Sequence, residues 1–239
     1  LAHGGDPGIG SYRIAPAVLE ADVVISLPKA KVHCSGGITV AMKNMVGIIP
    51  AWDGPHGDGS LKECAHTSDV DQAAGKRGMY LDNDTIWRSM ADLNRIVLYA
   101  DRDGVLRTEP QRRYLAIVDA IVAAEDSQYN PVPHPLGAVL VGVDPISVDA
   151  VTARCMGFDS RALKSVIKAA EGTALPLGPG SPARMKVRTS SGRPLKDLFQ
   201  VALAPERHIY SWEGTLEATD FGAPEVVDGT WDAGAQQFT

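Results

Sequence analysis

The chain has 239 residues, enough for one sizeable core, and an ordinary globular composition of 44% hydrophobic and 22% charged residues. Its formal net charge of -6 and the absence of a basic block argue against nucleic acid as the main partner, and no apolar run is long enough to span a membrane. Three cysteines, Cys34, Cys64 and Cys155, with no C-x-x-C, argue against a disulfide scaffold or a cysteine-rich metal site and make a reducing, cytoplasmic setting the expectation.

The chain opens on Leu1 rather than Met, so the lack of an export signal carries no weight. Residues 1–10 read as an irregular lead-in, and Ala15–Ala21 as a short helix with Pro16 in its first turn. The apolar run Asp22–Leu27 reads as a buried strand that Pro28 ends, because proline donates no ladder hydrogen bond. Lys29, Lys31, His33 and Cys34 follow at once, then Ser35-Gly36-Gly37, then a helical pattern with Ile38, Ala41, Met42, Met45 and Ile49 on one face.

A strand, a glycine turn and a helix in that order aim the free amides of the first helical turn at the carboxyl end of the strand. Open α/β sheets bind ligands beyond that end. Lys29, Lys31 and His33 would add charge there, so this stretch is a candidate anion site. The plainer alternative is that the lysines are solvated loop charges and His33 only packs. Neither a Walker A loop nor the dinucleotide glycine pattern is present, so no nucleotide is expected.

Residues 51–84 lose periodicity, and a connection that long inside a domain suggests a functional lid. Asn83-Asp84-Thr85 supplies cap chemistry for a helix to about Ala100, with Ile86, Met90, Leu93 and Val97 as its buried stripe. Asn94 falls within that apolar arc and Asp92 on the more polar flank. Tyr114–Val118 reads as a second buried strand ending at Asp119, with Ala120–Glu125 starting a helix. Leu136–Val143 is a nearly continuous apolar run, as expected of a strand covered on both faces.

Asp144-Pro145 opens a helix to about Met156, with Asp144 as its cap, whereas Asp149 inside that helix has no such explanation. Ser160–Glu171 is a further helix, Met185–Arg188 an edge strand and Pro194–Phe199 a short helix. Buried strands alternating with amphipathic helices imply an α/β fold, a largely parallel sheet flanked by helices. Residues 1–204 are assigned to that domain. Residues 205–239 form an irregular C-terminal extension, expected to wrap the body or a neighbouring subunit and so to offer a route to a homo-oligomer.

Leu27-Pro-Lys-Ala-Lys-Val-His33 with Gly37-Ile-Thr-Val-Ala-Met-Lys-Asn-Met-Val-Gly47 resembles the signature of the DUF362 proteins. So do Ala91-Asp-Leu-Asn94, Ile117-Val-Asp119, and Asp144-Pro-Ile-Ser-Val-Asp-Ala150 with Met156-Gly157. The resemblance runs from about residue 20 to residue 170 and implies no settled activity. Many members carry ferredoxin-like cysteine motifs for iron–sulfur clusters; this chain has none, which removes the main reason to expect a redox protein. A looser similarity is to the nickel-pincer lactate racemases, whose first domain also sets a histidine ahead of a glycine turn and a lysine on the next helix, as His33 and Lys43 are set here.

The leading expectation is an enzyme acting on a small carboxylate or phosphate. His33, Lys43 and Lys31 are the candidates for catalysis, His33 as acid/base or metal ligand because its ordinary pKa of about 6.5 lies nearest neutrality. Lys29, Lys31, Gly36, Gly37, Asn44, Asp92, Asn94 and Asp119 are the candidates for holding the substrate. In a metal-assisted variant His33, His56, Cys64 and His66, with Asp58, Asp69 or Asp119, would supply ligands for zinc, nickel or iron. The contrasting expectation is a non-catalytic module that binds a ligand or metal for a redox or metabolic partner.

Overall fold

The computed structural model describes residues 12–49, 65–66, 83–125, 131–171, 174–181, 184–192, 194, 231–232 and 237–238. Five strands form the main sheet: β1 (Val23–Ser26), β2 (Lys29–His33), β3 (Gly37–Thr39), β4 (Arg113–Glu125) and β5 (Val132–Gly142). Among the described residues five α-helices accompany it: α1 (Pro16–Glu20), α2 (Ala41–Asn44), α3 (Ile86–Tyr99), α4 (Pro145–Cys155) and α5 (Lys164–Ala170). The α/β architecture expected from the sequence is the one the chain builds. A separate pair of two-residue strands, β6 (Trp231–Asp232) and β7 (Gln237–Phe238), lies near the C-terminus. The assigned boundary at residue 204 falls outside the described residues. Among the described residues no helix is long and apolar enough to cross a membrane.

The long strand β4 organises the sheet. Its first half pairs in parallel with β1 (Ile25 beside Leu115) and its second half in parallel with β2 (Lys29 beside Asp119). Pro28 separates β1 from β2, and its carbonyl still accepts the Asp119 amide at 2.9 Å. The two outer pairings, β2–β3 and β4–β5, are antiparallel. Alternation along β4 buries Tyr114, Ala116, Val118 and Ala120 on one face. That face meets the layer in which α4 packs on α2, α5 and β5, and α3 packs on α2 and α5.

Four expectations are corrected. The stretch 38–49 is not one helix: Gly37–Thr39 is a strand paired with β2, α2 has four residues, and a 3-10 turn (Met45–Ile48) follows. A short apolar run satisfies either period, and pairing with β2 decided it. Residues 120–125 continue β4 rather than starting a helix, because β5 pairs with them through to Glu125, past a register shift between Ala120 and Val122. On β5, Val139 and Val141 are exposed, and Val143 just beyond it is too, so that strand is covered on one face only among the described residues. Asp92 does not face solvent: it is fully buried, as is most of α3. Asp144 caps α4 as expected, its carboxylate accepting the Ser147 amide at 2.7 Å.

Candidate functional site

The turn between β2 and β3 determines the state of His33. The residue ends β2 on its buried side, opposite Gly37, whose φ of 83° lies where only glycine is at ease. The backbone then curls so that the Ser35 and Gly36 amides both donate to His33 Nδ1, each at 3.1 Å. A Cβ at Gly36 would lie 3.2 Å from Met90 Cε, close enough that the methionine would have to shift slightly. With Nδ1 accepting two hydrogen bonds, the neutral ring carries its proton on Nε2. Burial, then the charges of Lys43, His66 and Lys31, depress the His33 pKa to about 3. His33 is therefore a neutral donor near pH 7.

Lys43 comes from α2 and is buried, an expensive placement for an ammonium that needs partners. Its Nζ lies 2.8 Å from His66 Nε2, and the His66 ring stacks on His33 with centroids 5.6 Å apart and planes at 27°. The His66 carbonyl accepts from Asn83 Nδ2 at 2.7 Å. Asn83 Oδ1 meanwhile takes the Thr85 and Ile86 amides at the start of α3, the capping expected of that segment. Lys31, half-buried on β2, completes the cationic surroundings through its charge on His33. The structure thus brings together His33, Lys43, His66 and Lys31.

Other candidates are placed elsewhere. Lys29 Nζ bonds Asp119 Oδ2 at 2.7 Å on the outer surface, with side-chain exposures of 49% and 52%. That bond, with the Ile121 amide, holds the Asp119 carboxyl below its ordinary range. Asn44 is exposed and donates to Ser26 Oγ at 2.9 Å. Asp92 accepts from the Tyr12 hydroxyl at 3.2 Å and lies 3.6 Å from Arg95. Asn94 donates to the Met42 and Met90 carbonyls at 2.9 and 2.8 Å, so its partners are backbone. The Gly36 amide, expected to help hold an anion, serves His33 instead.

Asp149, unexplained by capping and absent from the site candidates, is fully buried on α4. Its carboxylate accepts the Ala41 amide at 2.7 Å and the Met42 amide at 3.2 Å. The donors expected to greet a ligand anion at the start of this helix are thus taken by the chain's own carboxylate. Burial, with the charge of Asp144, pushes the Asp149 carboxyl up to about 8, against the pull of the two amides. The available signal was spacing: Asp149 lies between Ile146 and Ala153 on the buried stripe of α4.

Among the described residues ring nitrogens of this cluster are already engaged within the chain. His33 spends its Nδ1 lone pair on two amides, and His66 Nε2 lies 2.8 Å from the Lys43 Nζ. Among the described residues no three His, Cys, Asp or Glu side chains are grouped to hold a metal. His56, Asp58, Cys64 and Asp69 lie outside the described residues.

In comparison with known proteins, a family model described as a domain of unknown function (DUF362) matches residues 3–154, a span that includes every residue of this cluster and Asp149. No curated protein and no solved structure matches the chain.

Proposed function

The chain belongs to the DUF362 family, a domain of unknown function, and from that premise we propose that it binds a small carboxylate or phosphate at the His33–Lys43–His66 cluster and acts on it as an enzyme. One observation carries this reading: a buried ammonium, Lys43, stands beside two imidazoles, one of them locked as a neutral N–H donor. Burying such a cation is costly, and sites that hold perturbed groups together in this way are where ligands act. Lys31 and Lys43 supply positive charge, and His33 Nε2–H and the imidazole of His66 supply directed hydrogen bonds.

A donor-rich, cationic cluster recognises a ligand that only accepts, which is what an ionised carboxylate or phosphate is. His33 is poorly suited as a general base, because its one lone pair is already committed to the Ser35 and Gly36 amides. Its chemistry is electrophilic: a neutral imidazole N–H stabilises negative charge developing on oxygen without first releasing a proton. The reaction class this serves is one in which charge builds on an oxygen of the bound anion.

Calorimetric titration with inorganic phosphate and with malonate tests the reading. Saturable binding is expected in the wild type, weakened about tenfold or more by Lys43→Met, the loss typical of one charge-assisted hydrogen bond. A folded Lys43→Met protein that binds both anions as tightly as the wild type would overturn it. Binding without turnover in a substrate screen would instead favour the non-catalytic module.

A further inference from the structure

We propose that Asp149 and Asn94 are positioning residues that together aim Lys43 at His66. A helix of four residues has no stability of its own, since the cost of nucleation is spread over almost no bonds. Helix α2 also lacks a local cap: Val40, at its N-cap, offers no side-chain acceptor. The missing acceptor comes from α4, more than a hundred residues away, where Asp149 takes the amides of Ala41 and Met42. From α3, Asn94 Nδ2 donates to the carbonyl of the same Met42.

Met42 is therefore held at both ends of its backbone by buried side chains of two different helices, and Lys43 is the next residue. With φ and ψ pinned on either side of Met42, the Cα–Cβ direction of Lys43 is determined before its side chain makes any contact. The opposite partner is treated alike, because Asn83 holds the His66 carbonyl while capping α3. Buried polar side chains are costly unless matched, and here each is matched to backbone within one residue of the Lys43–His66 contact.

The inference rests on the proposed anion site only in taking Lys43 as the group being aimed, so its test reads Lys43 directly. Trace acetylation of the full chain with acetic anhydride across about pH 6 to 10, read by mass spectrometry, compares Lys43 with exposed Lys186 as internal reference. Lys164, whose ammonium bonds the Asn83 carbonyl at 2.8 Å, reports general loosening.

Asp149→Ala and Asn94→Ala are expected to speed Lys43 labelling about threefold or more and to move its pH profile, with Lys164 unchanged. Asp149→Asn, which keeps one acceptor oxygen, should fall between wild type and Asp149→Ala and serves if the alanine variant does not fold. Lys43 labelling at the wild-type rate in folded variants, or Lys164 rising in step with Lys43, would overturn the assignment. Phosphate titration of the same variants separates the two proposals. Altered Lys43 labelling with unaltered phosphate binding upholds the positioning role and removes the anion site.

Discussion

The two faces of the main sheet place the same kinds of residue in opposite circumstances. On the covered face β4 presents Ala116, Val118 and Ala120, all fully buried, and the ionisable Lys43 and Asp149 in the layer above are each held by named partners. On the other face Ile25 of β1, Val139 and Val141 of β5, and Val143 beyond it stay exposed, and the Lys29–Asp119 pair sits among them, half in water. Both faces carry a lysine that follows the first strand. Only where water is excluded does the lysine's position become specific, because there an unmatched polar group cannot turn to solvent.

The largest expected effect falls on the covered face. Asp149→Ala strands two buried amides at the start of α2 and should cost about 2–4 kcal/mol by urea denaturation. A loss well below 1 kcal/mol would mean that the amides find other partners and that the two faces differ less than their burial implies.

A mid-sized effect sharpens the contrast through pH. Asp149, raised in the fold to about 8 from its ordinary 3.8, keeps a proton that the unfolded chain releases, so its contribution to stability falls as pH rises across that window. His33, lowered to about 3 from 6.5, stays neutral where the unfolded chain takes up a proton, so its contribution rises with pH between those values. Between about pH 4 and 6.5 the two slopes oppose each other. Stability should plateau there and decline above it, by at most about 1.4 kcal/mol per pH unit. Asp149→Asn should remove the decline above the plateau, and His33→Gln should turn the plateau itself into a decline, both read from urea midpoints over the pH series.

The smallest effects belong to the open face. Lys29→Ala should leave the thermal midpoint nearly unchanged, and added salt should erase what difference there is, as for other exposed pairs. Val141→Thr should change stability by no more than about 0.5 kcal/mol. A large loss from Val141→Thr would show that something covers this face in solution and that the asymmetry between the faces is not intrinsic.

Much of the fold was legible. Helix α3 announced itself by Ile86, Met90, Leu93 and Val97 at helical spacing behind a capping asparagine, and α4 by Asp144-Pro145. Residues 38–49 misled, because Ile38, Met42, Met45 and Ile49 fit a helical period while only the partner strand β2 could show that Ile38 pairs with Val32. Of the candidate site, His33 and Lys43 were visible as polar residues following the first strand. Lys29 looked equivalent to them until its pairing with Asp119, set by the parallel register of β2 and β4, took it to the outer surface.

Sequence alone determined what is local: strand and helix periods, proline breaks, caps, and which residue types cluster after the first strand. The tertiary structure decided which of those residues share an environment. Whether the α2 amides donate to a ligand or to Asp149 depends on groups more than a hundred positions apart, and burial, which forces the choice, exists only once the layers have packed.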